Sequence, residues 1–314
     1  MNRATPATGW VRNPVMKSPD LDPVQASSYD YGWTWNPITG CLNHVNGLCR
    51  GGNFPCYAYG LANGRLKDRY RANENIAHLP ILFPYFAQAD PFYPRFWDHR
   101  LKTGIFDYGR KPKGVFVCDM GDLFGIGVPE EWTEKVLAVA KMECHKNRRY
   151  YLLTKQPQNL IKFSPFPDNC WVGVTVCNDK MLDVAVDKLE DIQAQTKYIS
   201  FEPLLEHLTL SLDYALYYSG INWVIIGAQT KPVVYPKVEW VEEIVEACDK
   251  ARVPVFLKDN LGRFLPRRLA EQPGNLYPKD GWYPLRQEMP GWLIQARISR
   301  KTHSLLELEG DKET

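Results

Sequence analysis

The sequence has no excess of charge of either sign and no long apolar run. Its 38 lysines and arginines nearly balance 36 aspartates and glutamates, which leaves a formal net charge of +2. This balance excludes the strongly basic surface of a dedicated duplex-DNA-binding protein, although it allows local basic patches. No run reaches the roughly 18 apolar residues of a membrane span, and the N-terminal region lacks the pattern of a signal peptide. We therefore expect a cytoplasmic protein with no membrane contact.

The sequence also lacks the features of a disulfide-rich secreted domain, although it contains eight cysteines. Cytosolic thiols are kept reduced, so metal binding or burial is the expected use of these residues. Five of them lie in or beside apolar segments, where cysteine behaves as a small hydrophobic residue. These five are Cys118, Cys144, Cys170, Cys177 and Cys248. The other three, Cys41, Cys49 and Cys56, share one short segment and are the metal-ligand candidates.

Short apolar runs alternate with amphipathic stretches along most of the chain. Each run is mostly apolar, as expected of a parallel strand that is covered on both faces. The runs are residues 31–35, 114–118, 150–154, 170–176, 197–201, 222–226 and 254–257. The stretches between them predict helices. These are residues 56–70, 129–146, 158–162, 180–195 and 238–251, whereas the segment after Glu206 looks irregular.

Seven such βα units favour a TIM-like (βα) barrel, full or partial, over a doubly wound sheet. We predict one α/β barrel domain over residues 1–305, with an insertion at about 75–113 and a disordered tail at 306–314. The insertion is rich in proline and aromatic residues. Its aromatics are either buried core or a surface on which nucleic-acid bases stack. They include Phe92, Tyr93, Phe96 and Trp97.

Polar residues follow every predicted strand, at the end where parallel barrels form their active sites. They include Asn36, Gly121, Asp122, Lys155, Asn178, Asp179, Glu202, Gln229 and Lys258. Helix capping is an equally good explanation for Asp122, Asn178 and Asp179. A charge that directly follows an apolar strand must be paired, bound to a ligand or solvated. We therefore expect Glu202 and Lys258 to contact a ligand, with a structural ion pair as the alternative.

The cysteine segment, residues 41–56, reads CLNHVNGLCRGGNFPC, with seven residues between the first two cysteines and six between the last two. Thiolate ligands must converge on one centre, and the glycines at 47, 51 and 52 allow the segment to fold back. Three cysteines leave one iron of a four-iron cluster open to a small chelating ligand. His44 would instead complete a Cys3His zinc site. The spacing alone leaves an iron–sulfur cluster, zinc and no metal all open.

This segment and its surroundings resemble a phage-associated family of uncharacterised, radical-SAM-like barrel proteins. Members read W-N-P-x-T-G-C, then a second cysteine, then a C-x-x-C-Y-A ending. The matching residues here are Trp35, Asn36, Pro37, Thr39, Gly40, Cys41, Cys49, Cys56, Tyr57 and Ala58. The likeness continues in order to about residue 262. It passes through Met120, Asp122, Leu123 and Phe124; Leu153, Thr154 and Lys155; Trp171, Val172, Gly173 and Val174; Ser200, Glu202, Pro203 and Leu204; and Val253, Pro254, Phe256 and Lys258.

Two departures from the family pattern bear on the site. The last two cysteines are separated by six residues instead of two, which changes the geometry available for a cluster. The family's Gly-Gly-Glu after the sixth strand appears as Gly227-Ala228-Gln229. A neutral amide still forms hydrogen bonds, but it cannot act as a base.

The resemblance implies a radical S-adenosylmethionine (SAM) enzyme in which Cys41, Cys49 and Cys56 hold a 4Fe-4S cluster. It implies that Gly121 and Asp122 meet SAM. It also implies that Lys155, Asn178, Gln229 and the catalytic candidates Glu202 and Lys258 line the space shared by SAM and substrate. The implied partners are SAM, an electron donor such as flavodoxin or ferredoxin, and an unidentified substrate, for which phage association suggests a nucleotide or nucleic acid.

Two other classes of protein are compatible with the same residues. One is a zinc-dependent hydrolase or deaminase on a (βα) barrel, in which zinc activates water and Glu202 acts as the base. The other is a non-catalytic binding module in which a metal staples the cysteine loop.

Overall fold

A computed structural model describes residues 2–3, 32–78, 84–102, 114–142, 148–262, 264–266, 269 and 285–290. Its main sheet contains seven parallel strands. They are β1 (Trp33–Trp35), β2 (Gly114–Val117), β3 (Arg149–Thr154), β4 (Cys170–Thr175), β5 (Thr196–Phe201), β6 (Trp223–Ile226) and β7 (Val255–Leu257). All seven lie within two residues of the runs that the sequence predicts, because each run is apolar on both faces.

The seven strands neighbour one another in chain order. A doubly wound sheet reverses its strand order, so the sequential order excludes that architecture. Successive crossovers of one hand place the connecting helices on one face of the sheet. The protein is therefore of the α/β class, with a curled half-barrel sheet. Among the described residues, β1 and β7 do not pair with each other.

Antiparallel segments cover both edges of the half-barrel. Asn2–Arg3 pairs with β1, and the segment at 285–288 runs along β7. On the β7 edge, the Leu257 N–H donates to Arg286 O over 2.7 Å, and the Glu288 N–H donates to Val255 O over 2.9 Å. These bonds satisfy edge groups that an open sheet would otherwise expose.

Eight helices surround or flank the sheet in the described part of the chain. They are α1 (Tyr57–Asn63), α2 (Lys67–Arg71), α3 (Pro84–Ala89), α4 (His99–Lys102), α5 (Glu130–Lys141), α6 (Asp179–Glu190), α7 (Leu212–Tyr218) and α8 (Val238–Ala251). The predicted helix at 158–162 is a 3-10 helix, Pro157–Phe163. The single helix predicted at 56–70 is divided in two at Gly64, whose backbone leaves the helical conformation. No helix in the described ranges is long and apolar enough to cross a membrane.

Helix α7 corrects the expectation that the segment after Glu206 is irregular. Leu212, Ala215 and Leu216 are buried at helical spacing, whereas Tyr214 and Tyr217 on the other side are exposed. The large exposed rings hide the amphipathic pattern, since they add apolar residues to the solvent face.

The two faces of the half-barrel carry different side chains. The outward residues of the strands pack with the helices in the main hydrophobic core. The inward residues form a second cluster that is mostly aromatic, and Met289 packs against it. This aromatic layer consists of Phe116, Tyr151, Trp171, Tyr198, Trp223 and Phe256. Strand alternation explains the division, because successive side chains point to opposite faces.

Gly173 makes room for this aromatic layer. A Cβ atom at this position would lie 2.2 Å from the ring of Tyr198. The Tyr198 hydroxyl crosses the interior and donates to Leu152 O over 2.9 Å. A glycine is therefore required for the ring to lie flat across β4.

The described part of the predicted insertion packs against the start of the cysteine segment. Strand Arg95–Phe96 pairs with Ile38–Thr39, and the indole of Trp97 donates to the Thr39 hydroxyl over 2.8 Å. All four aromatics named above are buried, with Phe92 1%, Tyr93 3%, Phe96 1% and Trp97 8% exposed. The base-stacking interpretation of these rings is therefore wrong, because their faces are covered by protein. Residues 103–113 and the predicted tail at 306–314 lie outside the described residues.

Candidate functional site

Four inward-facing residues lie just beyond the aromatic layer, at the C-terminal ends of β3, β4, β5 and β7. Residues at even spacing along a strand share one face of the sheet. Lys155 therefore lies on the same face as Leu153, Cys177 on that of Trp171, Glu202 on that of Tyr198 and Lys258 on that of Phe256. We call Lys155, Cys177, Glu202 and Lys258 the polar layer. Two of them are the strand-end charges that the sequence singled out, and the fold brings them to one face of one sheet.

Glu202 and Lys258 are ion-pair partners. The Lys258 ammonium donates to Glu202 Oε1, and the lysine side chain is only 2% exposed, whereas that of Glu202 is 22% exposed. A Cβ atom at Gly227 would lie 2.9 Å from Lys258 Cδ and 3.1 Å from Glu202 Cδ. Gly227 therefore leaves the space that the pair occupies. The sequence did not show whether the two charges pair with each other, and the structure joins them as one ion pair, with the Glu202 side chain partly exposed.

The cysteine loop, residues 41–56, follows β1 and folds back on itself. His44–Val45 and Leu48–Cys49 form a hairpin whose turn contains Gly47, at φ +82°. The Cys56 N–H donates to Gly47 O, and the Cys49 N–H donates to Phe54 O, each over 2.8 Å. These two bonds draw Cys49 and Cys56 towards each other. The six-residue spacing between them thus closes as a compact turn.

The remaining loop cysteine is fixed by the insertion. The Cys41 N–H donates to Phe92 O over 3.0 Å, and the preceding Gly40 N–H donates to Met120 O over 2.9 Å. Gly40 has φ +88°, and a Cβ atom there would lie 2.4 Å from Tyr93 O. Position 40, where the chain enters the loop, therefore has room only for glycine.

Lys155 lies close to the loop thiols. Its ammonium is 5.8 Å from the centre of the Phe54 ring, which belongs to the loop. Burial lowers the pKa of Lys155, but the thiol groups of Cys49, Cys177 and Cys56, together with Asp122, raise it, and the net shift is upward. One cation therefore faces several groups that carry negative charge when they are deprotonated.

The same environment favours the neutral form of Cys41 and Cys49 when no metal is bound. Burial, and secondarily the charge of Asp122, raises the pKa of Cys41 to about 12. Burial also raises the pKa of Cys49, although Lys155 opposes the shift. A bound metal cation would reverse this balance, because coordination deprotonates a thiol outright.

The described residues include no group of three or more His, Cys, Asp and Glu side chains that could hold a single metal ion. His44, the zinc-ligand candidate, accepts a 3.3 Å bond from the Gly47 N–H at Nδ1. Its ring centre lies 4.9 Å from that of Tyr59 and 5.5 Å from that of Phe92. His44 thus supports the turn of the cysteine loop.

Asp122 connects the ends of β2 and β3. Its carboxylate accepts bonds from the Thr154 hydroxyl at 2.8 and 3.0 Å, from the Lys155 N–H at 3.1 Å and from the Phe124 N–H at 3.0 Å. Burial raises the pKa of Asp122, and these hydrogen bonds oppose the shift. Beside it, a Cβ atom at Gly121 would lie 2.7 Å from Gly40 O. The two SAM-contact candidates therefore join the cysteine loop to neighbouring strands.

Asn178 performs the capping role that the sequence allowed. Its Oδ1 accepts a 2.9 Å bond from the Met181 N–H at the start of α6, and its Nδ2 donates to Gly51 O over 2.7 Å. Asp179 does not cap α6 but accepts bonds from Thr209, with its Oδ1 2.8 Å from the Thr209 N. Gln229 donates to Pro232 O over 2.9 Å within its own hairpin. Asn178 is therefore attached to the cysteine loop, whereas the bond from Gln229 to Pro232 is local.

Asn36, Asp119 and Tyr57 form a hydrogen-bonded group beside the loop that the sequence did not predict. Asn36 Nδ2 donates to Asp119 Oδ1 over 2.5 Å, while Asn36 Oδ1 accepts from the Met120 N–H over 2.9 Å. The Tyr57 hydroxyl donates to Asp119 O. Asn36 and Tyr57 belong to the cysteine motif, so the motif was the sequence feature that could have pointed to this group.

Burial is confirmed for the described cysteines outside the loop. Cys118, Cys170, Cys177 and Cys248 are all buried, and Cys144 lies outside the described residues. Cys177 differs from the others because it belongs to the polar layer.

Comparisons with known proteins identify a family but no relative of known activity. No curated protein matches the chain, and no solved structure matches it. The model of the family described as "Protein of unknown function (DUF5131)" matches residues 30–305, a range that includes the half-barrel, the cysteine loop and the polar layer. The chain belongs to this family.

Proposed function

We propose that this protein is a radical-SAM-type enzyme whose Cys41, Cys49 and Cys56 hold a 4Fe-4S cluster on a partial TIM-like barrel. One observation carries the proposal. The three-cysteine loop follows the first parallel strand and lies at the C-terminal edge of the half-barrel, beside Lys155 and the rest of the polar layer. This is the edge at which parallel barrels bind substrates and cofactors.

The loop is consistent with a cluster, whose cysteine ligands are spread wider than those of one zinc ion. In a four-iron cluster each cysteine binds a different iron, so the thiolates are spread wider than around one ion. The backbone bonds of Cys49 and Cys56 bring these residues together without placing them in a single-ion group. Three cysteine ligands leave one iron for the amino and carboxylate groups of SAM. When bound and reduced, such a cluster supplies the electron that cleaves SAM to a 5'-deoxyadenosyl radical.

The chain's own residues would tune and enclose this chemistry. The Lys155 ammonium would offset part of the negative charge of three thiolates, since outer-shell charge influences a metal centre. The partly exposed Glu202 carboxylate would accept hydrogen bonds from SAM or substrate, while Lys258 holds that carboxylate in place. The aromatic layer beneath closes the interior against water from below.

The partners follow from the same proposal. An electron donor such as flavodoxin or ferredoxin would reduce the cluster. A nucleotide or nucleic acid is the suggested substrate class, and it rests on the family resemblance alone. The buried rings of the insertion lend it no support.

Anaerobic reconstitution followed by metal analysis tests the proposal against its rivals. We expect brown protein with about four iron atoms and four sulfides per chain. Colourless protein with about one zinc per chain would support a hydrolase or deaminase instead. If the protein carries a full cluster but releases no 5'-deoxyadenosine from SAM after reduction, it is a non-catalytic binding module in which the metal only holds the cysteine loop.

A further inference from the structure

A fourth thiol, Cys177, faces the cysteine loop from β4. Val172, Val174 and Val176 belong to the outer core, so alternation places Cys177 on the inner face together with Trp171. Cys177 lies two residues beyond the end of β4, at the same edge as the loop. More than 120 residues of sequence separate it from Cys49 and Cys56, so its proximity is a product of the fold.

Two glycines of the loop allow the close approach of this strand end. A Cβ atom at Gly52 would lie 3.3 Å from Cys177 Cβ, and one at Gly51 would lie 3.1 Å from the Met181 sulfur. The bond from Asn178 to Gly51 O holds the two segments together. The backbone of the cysteine loop therefore packs directly on the residues that carry and follow Cys177.

The electrostatic neighbours of Cys177 are those of the loop cysteines. Lys155 interacts with Cys177 as well as with Cys49 and Cys56, and Cys177 in turn interacts with Cys49. By contrast, Cys170, at the opposite end of the same strand, has Lys141 as its charged neighbour. Cys177 and Cys170 are equally buried, but they lie at opposite ends of β4, and Cys177 is the one at the end that carries the site.

Resting on the proposed function, we infer that Cys177 binds the fourth iron of the cluster in the resting enzyme and yields that position to SAM. The loop supplies three thiolates, and the fold places this one further thiol beside the same cation. On exchange, the bond between iron and the Cys177 sulfur breaks, bonds to the amino nitrogen and carboxylate oxygen of SAM form, and the released thiolate takes up a proton from solvent. No electron is transferred in this step.

The consequence for the enzyme is protection of an exposed iron. An iron without a protein ligand is the one most easily lost to oxidants, which leaves a three-iron cluster. With Cys177 in place, all four irons are held by cysteine until SAM arrives. Removing the thiol should therefore change how fast this iron is lost without abolishing assembly of the cluster.

The test compares wild type with Cys177→Ala, Cys177→Ser and the matched control Cys170→Ala, all reconstituted anaerobically. Each protein is exposed to ferricyanide, and the electron paramagnetic resonance signal of the three-iron cluster is followed over time. Without SAM, we expect Cys177→Ala to lose its fourth iron about tenfold faster than wild type, which is the scale of metal-site effects from neighbouring residues. Cys170→Ala should behave as wild type, and saturating SAM should make all four rates equal.

The outcomes separate this inference from the proposed function. Equal rates for wild type and both Cys177 variants without SAM would overturn the inference and leave Cys177 as a packing residue. Cys177→Ser, which preserves side-chain size, should lie between wild type and alanine, which distinguishes a ligand effect from disrupted packing. Failure of every protein, wild type included, to assemble a four-iron cluster would overturn the proposed function and this inference together.

Discussion

The aromatic layer and the polar layer occupy the same inner face of one sheet, yet the first consists of packed rings and the second of charged groups and a thiol. In the aromatic layer, ring centres lie 5.4 Å apart for Tyr151 and Trp171 and 5.5 Å apart for Trp171 and Trp223. In the polar layer, the Lys258 ammonium, Glu202 and Lys155 replace these rings. The backbone is continuous between the two, so the division depends on side chains alone. The lower layer fills the interior, and the upper layer presents the charged groups and the Cys177 thiol.

The largest effect is expected from the removal of one cysteine of the loop. We expect Cys49→Ala to reduce the iron content after reconstitution from about four atoms per chain to almost none, because one of the three loop ligands is lost. Cys170→Ala removes a buried thiol from the far end of β4 and should keep full iron content. Iron and sulfide analysis measures both. Full iron in Cys49→Ala would remove this residue from the ligand set.

The next effect concerns the ion pair of the polar layer. Glu202→Gln removes the charge opposite a buried lysine, and we expect it to lower the free energy of unfolding by about 3 kcal/mol, as for other broken buried pairs. Adding Lys258→Met removes the unpaired charge as well and should recover a large part of that loss. Denaturant unfolding of the two single variants and the double variant measures the coupling. Strictly additive losses would show that the two residues do not stabilise each other.

A smaller effect is expected in the aromatic layer. Gly173→Ala places a methyl group against the Tyr198 ring and should cost about 1–3 kcal/mol of stability, as overpacking does. Gly60 is the matched control, since nothing lies within 4 Å of a Cβ atom there. Gly60→Ala, inside α1, should raise stability by about 0.5–1 kcal/mol. Both should reconstitute with full iron. A loss of iron in Gly173→Ala would show that the two layers are not independent.

The smallest effect separates the two bonds of Asn178. Asn178→Asp keeps the helix-capping oxygen and loses the donor to Gly51 O, whereas Asn178→Ala loses both. We expect the alanine variant to lose about 1 kcal/mol of stability through the missing cap, and the aspartate variant to lose less. Thermal unfolding ranks the two variants. Equal losses would show that the bond to the cysteine loop, and not the cap, provides the stability.

The sequence predicts the strands well because their signal is local. A run such as residues 170–176 is apolar on both faces and ends in polar residues, which indicates both the strand and the edge where a site forms. Helix α7 was missed because Tyr214, Tyr217 and Tyr218 obscure its amphipathic pattern. The cysteine motif marks the loop after β1, where the site is proposed. Local patterns therefore place the elements and indicate one edge of the sheet.

What the sequence does not reveal is which distant residues meet. Tyr57 and Asp119 belong to different elements, as do Asn178 and Gly51, and their hydrogen bonds depend on strand order and loop packing. Cys177 looks like any buried cysteine until the fold places it opposite Gly52. The pairing of Glu202 with Lys258 likewise needs the register of β5, β6 and β7. Periodicity gives the face of each residue, but the partner across that face comes from the topology.

The central claim is that the polar layer and the cysteine loop together form a site for radical-SAM chemistry. The most direct measurement is 5'-deoxyadenosine released from SAM by the reconstituted, dithionite-reduced protein, quantified by chromatography. We expect release by wild type and by Cys170→Ala, and none by Cys49→Ala. Wild-type protein that carries a full cluster yet neither binds nor cleaves SAM would contradict this claim.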